Sequence, residues 1–147
     1  MNNPNLIKLE NLFHTYLYEQ APPMPPEARQ TIMRYLPWAV IFIIVLQISS
    51  IVSFFQLTSL FVALGYIYTL GWGPLGYIGI MLLVFAVIFE ITALPELFKH
   101  TKKGWQFLYY AILIGMVNDI LSLNILNALF VGVISLYILF QIRELYH

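Results

Sequence analysis

The chain contains no cysteine, and that one absence removes disulfides, thiolate metal sites, iron–sulfur ligation and cysteine nucleophiles together. Charge is nearly as scarce: Asp, Glu, Lys and Arg make up 10% of 147 residues and cancel to a net charge of zero. No basic run exceeds Lys102 and Lys103, so nothing supplies a nucleic-acid surface, and no nucleic-acid partner is expected. His14, His100 and His147 fall outside the long apolar stretches, which disfavours a histidine-ligated haem or chlorophyll. A glycine-rich phosphate loop, a paired-histidine zinc helix and a serine nucleophile elbow are also missing. No catalytic, cofactor-binding or metal-ligating set is therefore assigned. Residues 1 to 34 hold Lys8, Glu10, Glu19, Glu27, Arg29 and Arg34 without an apolar core, so they do not read as a cleavable signal peptide.

What the chain has in excess is apolar surface, with 61% of residues apolar and 16% aromatic. A soluble domain of this length has too little interior to hide so much, whereas a bilayer solvates it directly. The expected fold class is all-α: an integral membrane four-helix bundle with a cytoplasmic arm. Residues 1 to 26 form that arm. Leu6, Leu9, Leu12, Phe13, Tyr16 and Leu17 fall at helical spacing, so an amphipathic helix is expected there, resting on the membrane, on a partner or on its own bundle. The four prolines between Ala21 and Pro26 form a stiff extended linker.

Residues 27 to 147 hold the transmembrane domain, with spans expected at about 38–55, 77–98, 105–122 and 125–142. Pro26, Glu27 and Arg29 read as a helix start that reaches Pro37. Leu57, Leu60, Phe61, Leu64 and Tyr68 form a helical face ahead of the turn cluster Gly71, Trp72, Gly73, Pro74 and Gly76. The stretch 57–73 is read as an interfacial or re-entrant helix between the first two spans, with a full crossing as the alternative.

Charge gives an independent check, since Lys and Arg collect on the cytoplasmic side. The seven basic residues lie before Trp38, in the loop Lys99 to Lys103, and at Arg143. Four crossings put all three groups on one side, which places both termini in the cytoplasm. Tyr35, Trp38, Trp105, Tyr109 and Tyr110 then fall near the inner interface, and Tyr66, Tyr68, Trp72 and Tyr77 near the outer one.

Glu90 and Asp119 are the ionisable residues expected inside the hydrocarbon. A carboxylate there costs on the order of 2.5 to 3.5 kcal/mol, so each needs a partner, water or a proton. Gly79, Ala86, Glu90 and Ala93 share one helical stripe, and Ala111, Gly115, Asp119 and Ser122 another. Small residues mark close helix contacts, so both carboxylates are expected to face inward. At 1.5 Å per residue Glu90 lies about 13 Å, and Asp119 about 22 Å, from the basic loop. They therefore line one polar path or serve separately as structural groups, Asp119 then bonding to Asn118, Ser122, Asn124 or Asn127. Asn124, Ala128, Gly132 and Ser135 let the fourth helix approach the third, and the first offers Ser49, Ser53 and Gln56. Lys99, His100, Lys102 and Lys103 are candidate contacts for lipid headgroups.

The segment Leu94 to Gly104, the aromatic start Trp105 to Tyr110, and the ending Leu136 to Tyr146, reading LYILFQIRELY, resemble a family of small uncharacterised bacterial multi-pass membrane proteins of about this length. The resemblance implies a bacterial inner-membrane location and transfers no residue roles. The function expected is non-enzymatic: assembly with itself or as an accessory subunit of a membrane complex. A transporter or channel subunit moving protons or cations through Glu90 and Asp119 is the alternative. A lipid-directed enzyme is a weaker third, since no constellation of residues supports it.

Overall fold

A computed structural model describes Lys8, Thr15, Tyr16, residues 22–64 and residues 74–147. The expected amphipathic helix at 6–20 lies outside the described residues except for those three positions. Pro22 to Pro25 run extended, and Pro26 opens helix α1 (Pro26–Ala63) at the position where its missing N–H costs nothing. Glu27 in the first turn complements the helix dipole. Three further helices follow: α2 (Pro74–Phe98), α3 (Lys102–Leu121) and α4 (Ile125–Gln141), the last carrying a π-helical turn over Ala128–Gly132. Arg143–Leu145 close as a single 3-10 turn. Among the described residues there is no strand.

The helices agree with the expected apolar stretches at 77–98, 105–122 and 125–142, but α1 differs. Residues 57–63 continue α1 rather than forming a separate interfacial helix, and 65–73 lie outside the described residues. Pro37 sits buried inside α1 instead of marking a boundary. Pro95 likewise lies within the last turn of α2.

Two turns of the same design join the last three helices. After α2, Thr101 N–H donates to the Glu96 carbonyl (3.0 Å) and His100 N–H to that of Leu97 (3.1 Å). After α3, Asn124 N–H donates to the Asp119 carbonyl (2.8 Å) and Leu123 N–H to that of Ile120 (3.1 Å). Each is a Schellman ending whose left-handed residue is His100 (φ 55°) or Leu123 (φ 57°), in a place where glycine is the usual occupant. Three-residue connections of this kind leave α2, α3 and α4 no choice but antiparallel neighbours. Thr101 then caps α3 by accepting from Gly104 N–H, while its hydroxyl donates to Glu96 Oε2 at 2.6 Å.

Helix α1 runs antiparallel to α2: Trp38 meets Phe98 edge to face, Gln47 meets Glu90, and Phe54 meets Tyr77. The packing is densest between α2 and α3. Gly104 is in contact with the α2 backbone, and Gly132 of α4 sits against Met116 of α3. The small-residue stripe of α4 therefore makes the close approach expected of it. The α3 stripe is buried at Ala111 but open at Gly115, since nothing lies within 4 Å of where a Gly115 side chain would begin.

The core is concentrated at the basic end. Trp105 is 0% exposed. It stacks on Tyr109, meets Phe140 edge to face, and has the Arg143 guanidinium 5.2 Å above its ring. Trp105 and Tyr109 are thus core residues and not part of an outward-facing aromatic belt, whereas Tyr35 and Trp38 are exposed. The proline segment is tied to α4: the Tyr137 hydroxyl donates to the Pro22 carbonyl (2.7 Å), and Met24 N–H donates to Gln141 Oε1 (3.3 Å).

Candidate functional site

Helices α1 and α4 barely touch, and between them lies a cavity of about 140 Å³. Val40 and Ile43 of α1, Leu108 and Ile112 of α3, and Ser135 and Leu139 of α4 line it, and Glu90 of α2 reaches into it. Glu90 is placed by the stripe that the sequence marks: Ala86 and Ala93, one turn to either side, are buried and let α2 pack closely. Glu90 as a whole is 7% exposed. The Gln47 amide donates to Oε1 (2.8 Å) and Oε2 (3.0 Å) from α1, and Gln47 Oε1 is left buried without a hydrogen-bond partner.

Gln47 is the residue that sequence reasoning missed. It lies in the same apolar run as Ser49, Ser50 and Ser53, and its value as a partner depends on the α1–α2 register. A glutamine suits a carboxyl group in either protonation state, because its amide N–H donates to a carboxylate and its oxygen accepts from a carboxylic acid. Ser49, Ser53 and Gln56 are exposed and take no part.

Asp119 occupies a different place. It lies in the last turn of α3, half-buried, and accepts a hydrogen bond from Asn127 Nδ2 in the first turn of α4 at 2.7 Å. Its backbone carbonyl already holds the Schellman turn through Asn124 N–H. Of the four expected partners, Asn127 is the one that bonds the carboxylate. Ser122 and Asn124 are exposed, and Asn118 Oδ1 is buried without a hydrogen-bond partner, 3.0 Å from where a side chain on Gly79 would begin. Glu90 and Asp119 thus have separate partners on separate helices. The Asp119–Asn127 bond is a staple across the α3–α4 turn. Asp119→Asn is expected to retain most stability, and Asp119→Leu to cost about 1 to 3 kcal/mol by stranding the Asn127 amide. Chemical unfolding of the purified variants, followed by circular dichroism, measures both; equal stability of Asp119→Leu and the parent would show that the staple carries nothing.

At the basic end Lys99, Lys102 and Lys103 are exposed, and Lys99 lies 3.8 Å from Glu96. His100 is placed differently from these lysines. It is half-buried in the left-handed turn, its ring meets Tyr146 edge to face, and its carbonyl accepts from His147 N–H. The Tyr146 hydroxyl has no hydrogen-bond partner among the described residues, and burial pushes it up to about 12, so it is neutral throughout the physiological range. No group of three or more His, Asp or Glu side chains that could hold a metal ion occurs among the described residues.

These features define an all-helical protein in which α1 and α2 are long and apolar enough to cross a membrane, by length and composition. Helix α4 is apolar but shorter, and α3 carries Gln106, Asn118 and Asp119 within its apolar length. Comparison with protein-family models, curated proteins and solved structures finds no match to this chain.

Proposed function

We propose that this chain is a multi-pass integral membrane protein of four spans that acts by helix assembly, as a homo-oligomer or an accessory subunit of a membrane complex, and not by catalysis. The observation that carries the reading is the outer surface of its two long helices. Only 17% of the most apolar window of α1 and 22% of that of α2 is buried, while Phe42, Leu46, Val52, Phe55, Met81 and Phe85 are exposed. The core helix of a soluble domain hides such residues. The hydroxyls on the same surfaces turn back onto their own helices, Ser49 to the Val45 carbonyl, Ser50 to Leu46, Thr58 to Phe54 and Thr92 to Ile88. Polar groups in lipid must be satisfied in this way, having no water to turn to.

The charge distribution supports an orientation with both termini and the 99–103 loop in the cytoplasm. Arg29, Arg34, Lys99, Lys102, Lys103 and Arg143 all belong to the end of the bundle where α1 and α3 begin and α2 and α4 finish. Lys99, Lys102 and Lys103 there would meet anionic headgroups of a bacterial inner membrane. Assembly is favoured over transport because Glu90 and Asp119 are each tied to an amide on a neighbouring helix rather than joined in one path.

Because the chain has no cysteine, single cysteines report without background. A cysteine at Thr101 is expected to react with an impermeant thiol reagent only from the cytoplasmic side, and labelling from outside intact cells would overturn the four-span orientation. Native mass measurement in mild detergent is expected to show more than one copy or a co-purifying membrane protein; a lone monomer would overturn the assembly reading. The transport alternative requires a proton- or cation-dependent flux in liposomes that Glu90→Gln or Asp119→Asn abolishes.

A further inference from the structure

We infer that the cavity between α1 and α4 is a binding site for a small hydrophobic amine in its protonated form, with Glu90 as counter-ion. Four helices contribute to the walls, which are apolar except for the Glu90 carboxylate and the Ser135 hydroxyl. Among the described residues, no Lys, Arg or His lines the space, and Glu90 forms no salt bridge. Among the described residues, one amide group, from Gln47, is the whole of the side chain's hydrogen bonding, so its remaining acceptor capacity faces an apolar cavity. A buried carboxylate in that situation gains from a cation delivered without water, and an ammonium on a hydrophobic body fits both the carboxylate and the walls. A volume of about 140 Å³ is enough for one aromatic ring or a short branched alkyl group. The gap where α1 and α4 separate gives the way in.

This site does not depend on how many copies assemble, so its failure and that of the assembly reading are read separately. The test uses the full chain in nanodiscs of zwitterionic lipid, with empty nanodiscs subtracted, and ligand-detected NMR with benzylammonium and with its neutral counterpart of the same shape, ethylbenzene. Wild type is expected to bind benzylammonium roughly tenfold or more tightly than ethylbenzene, the difference a charge-assisted bond supplies. Glu90→Gln is expected to remove that preference while ethylbenzene binding persists. Ala39→Phe is a second variant, because Ala39 is exposed, borders the cavity and is not bonded to Glu90, so a ring there occupies the space while leaving both members of the Glu90–Gln47 pair in the sequence. It is expected to abolish binding of both probes. Wild type that binds no benzylammonium above empty nanodiscs, an amine preference that survives Glu90→Gln, or binding that survives Ala39→Phe would each overturn the inference.

Discussion

Replacing Trp105 by alanine is expected to cost about 3 to 5 kcal/mol, as large aromatic deletions from a packed core do. The indole is fully buried among Tyr109, Phe140 and the Arg143 guanidinium, so little can move in to fill the space. It also has a polar duty. Its Nε1–H donates to the Leu139 carbonyl at 2.7 Å, and Leu139 lies in the last turn of α4, where carbonyls have no helical N–H to accept. Trp105→Phe keeps much of the ring and loses only that bond, for about 1 to 3 kcal/mol. Equilibrium unfolding of the three proteins in the same detergent ranks them; a Trp105→Ala variant as stable as Trp105→Phe would show that the ring packing is unimportant.

Substitution of Gly104 by valine is expected to be nearly as damaging, about 3 kcal/mol, through crowding rather than loss. A Cβ on residue 104 would lie 2.7 Å from the carbonyl carbon of Glu96 and from the amide nitrogen of Leu97, both backbone atoms of α2 that cannot swing aside. The two helices would have to part at the turn where Thr101 caps α3. Gly115 in the same helix supplies the control. With nothing within 4 Å, Gly115→Ala is expected to be neutral or stabilising by up to about 1 kcal/mol from helix propensity alone. Thermal unfolding of both variants should give shifts of opposite sign or very different size, and similar losses would mean that the close approach at Gly104 is not the cause.

Much of the helical layout was legible because long apolar runs separated by charged or polar breaks leave few other arrangements. The breaks at Lys99–Lys103 and at Ser122–Asn124 mark the two tight turns correctly. Their mechanism was hidden, since the left-handed positions are held by His100 and Leu123 and no glycine announces them. Glu90 was visible as the charge within the second apolar run, and its buried stripe followed from Ala86 and Ala93. Gln47 was not visible as its partner, because a pairing 43 residues apart depends on a register that local pattern does not contain. The end of α1 was misread for a different reason: the shift toward Gly, Tyr and Trp after Gln56 resembles a change of element, yet residues up to Ala63 stay helical. Trp105 beside a lysine loop has the composition of an interface residue. Whether such a tryptophan faces out or in is decided by its neighbours on α4, which periodicity along α3 does not show.

The two matching three-residue turns also order the steps by which the chain closes. Contacts between α2 and α3 and between α3 and α4 are local in sequence, so each hairpin can form as soon as its second helix exists, with little loop entropy to overcome. The contacts of Pro22 and Met24 with Tyr137 and Gln141 instead span 115 and 117 residues. They have no partner until α4 has been synthesised, so the proline segment, made before all four helices, is seated only after the last of them.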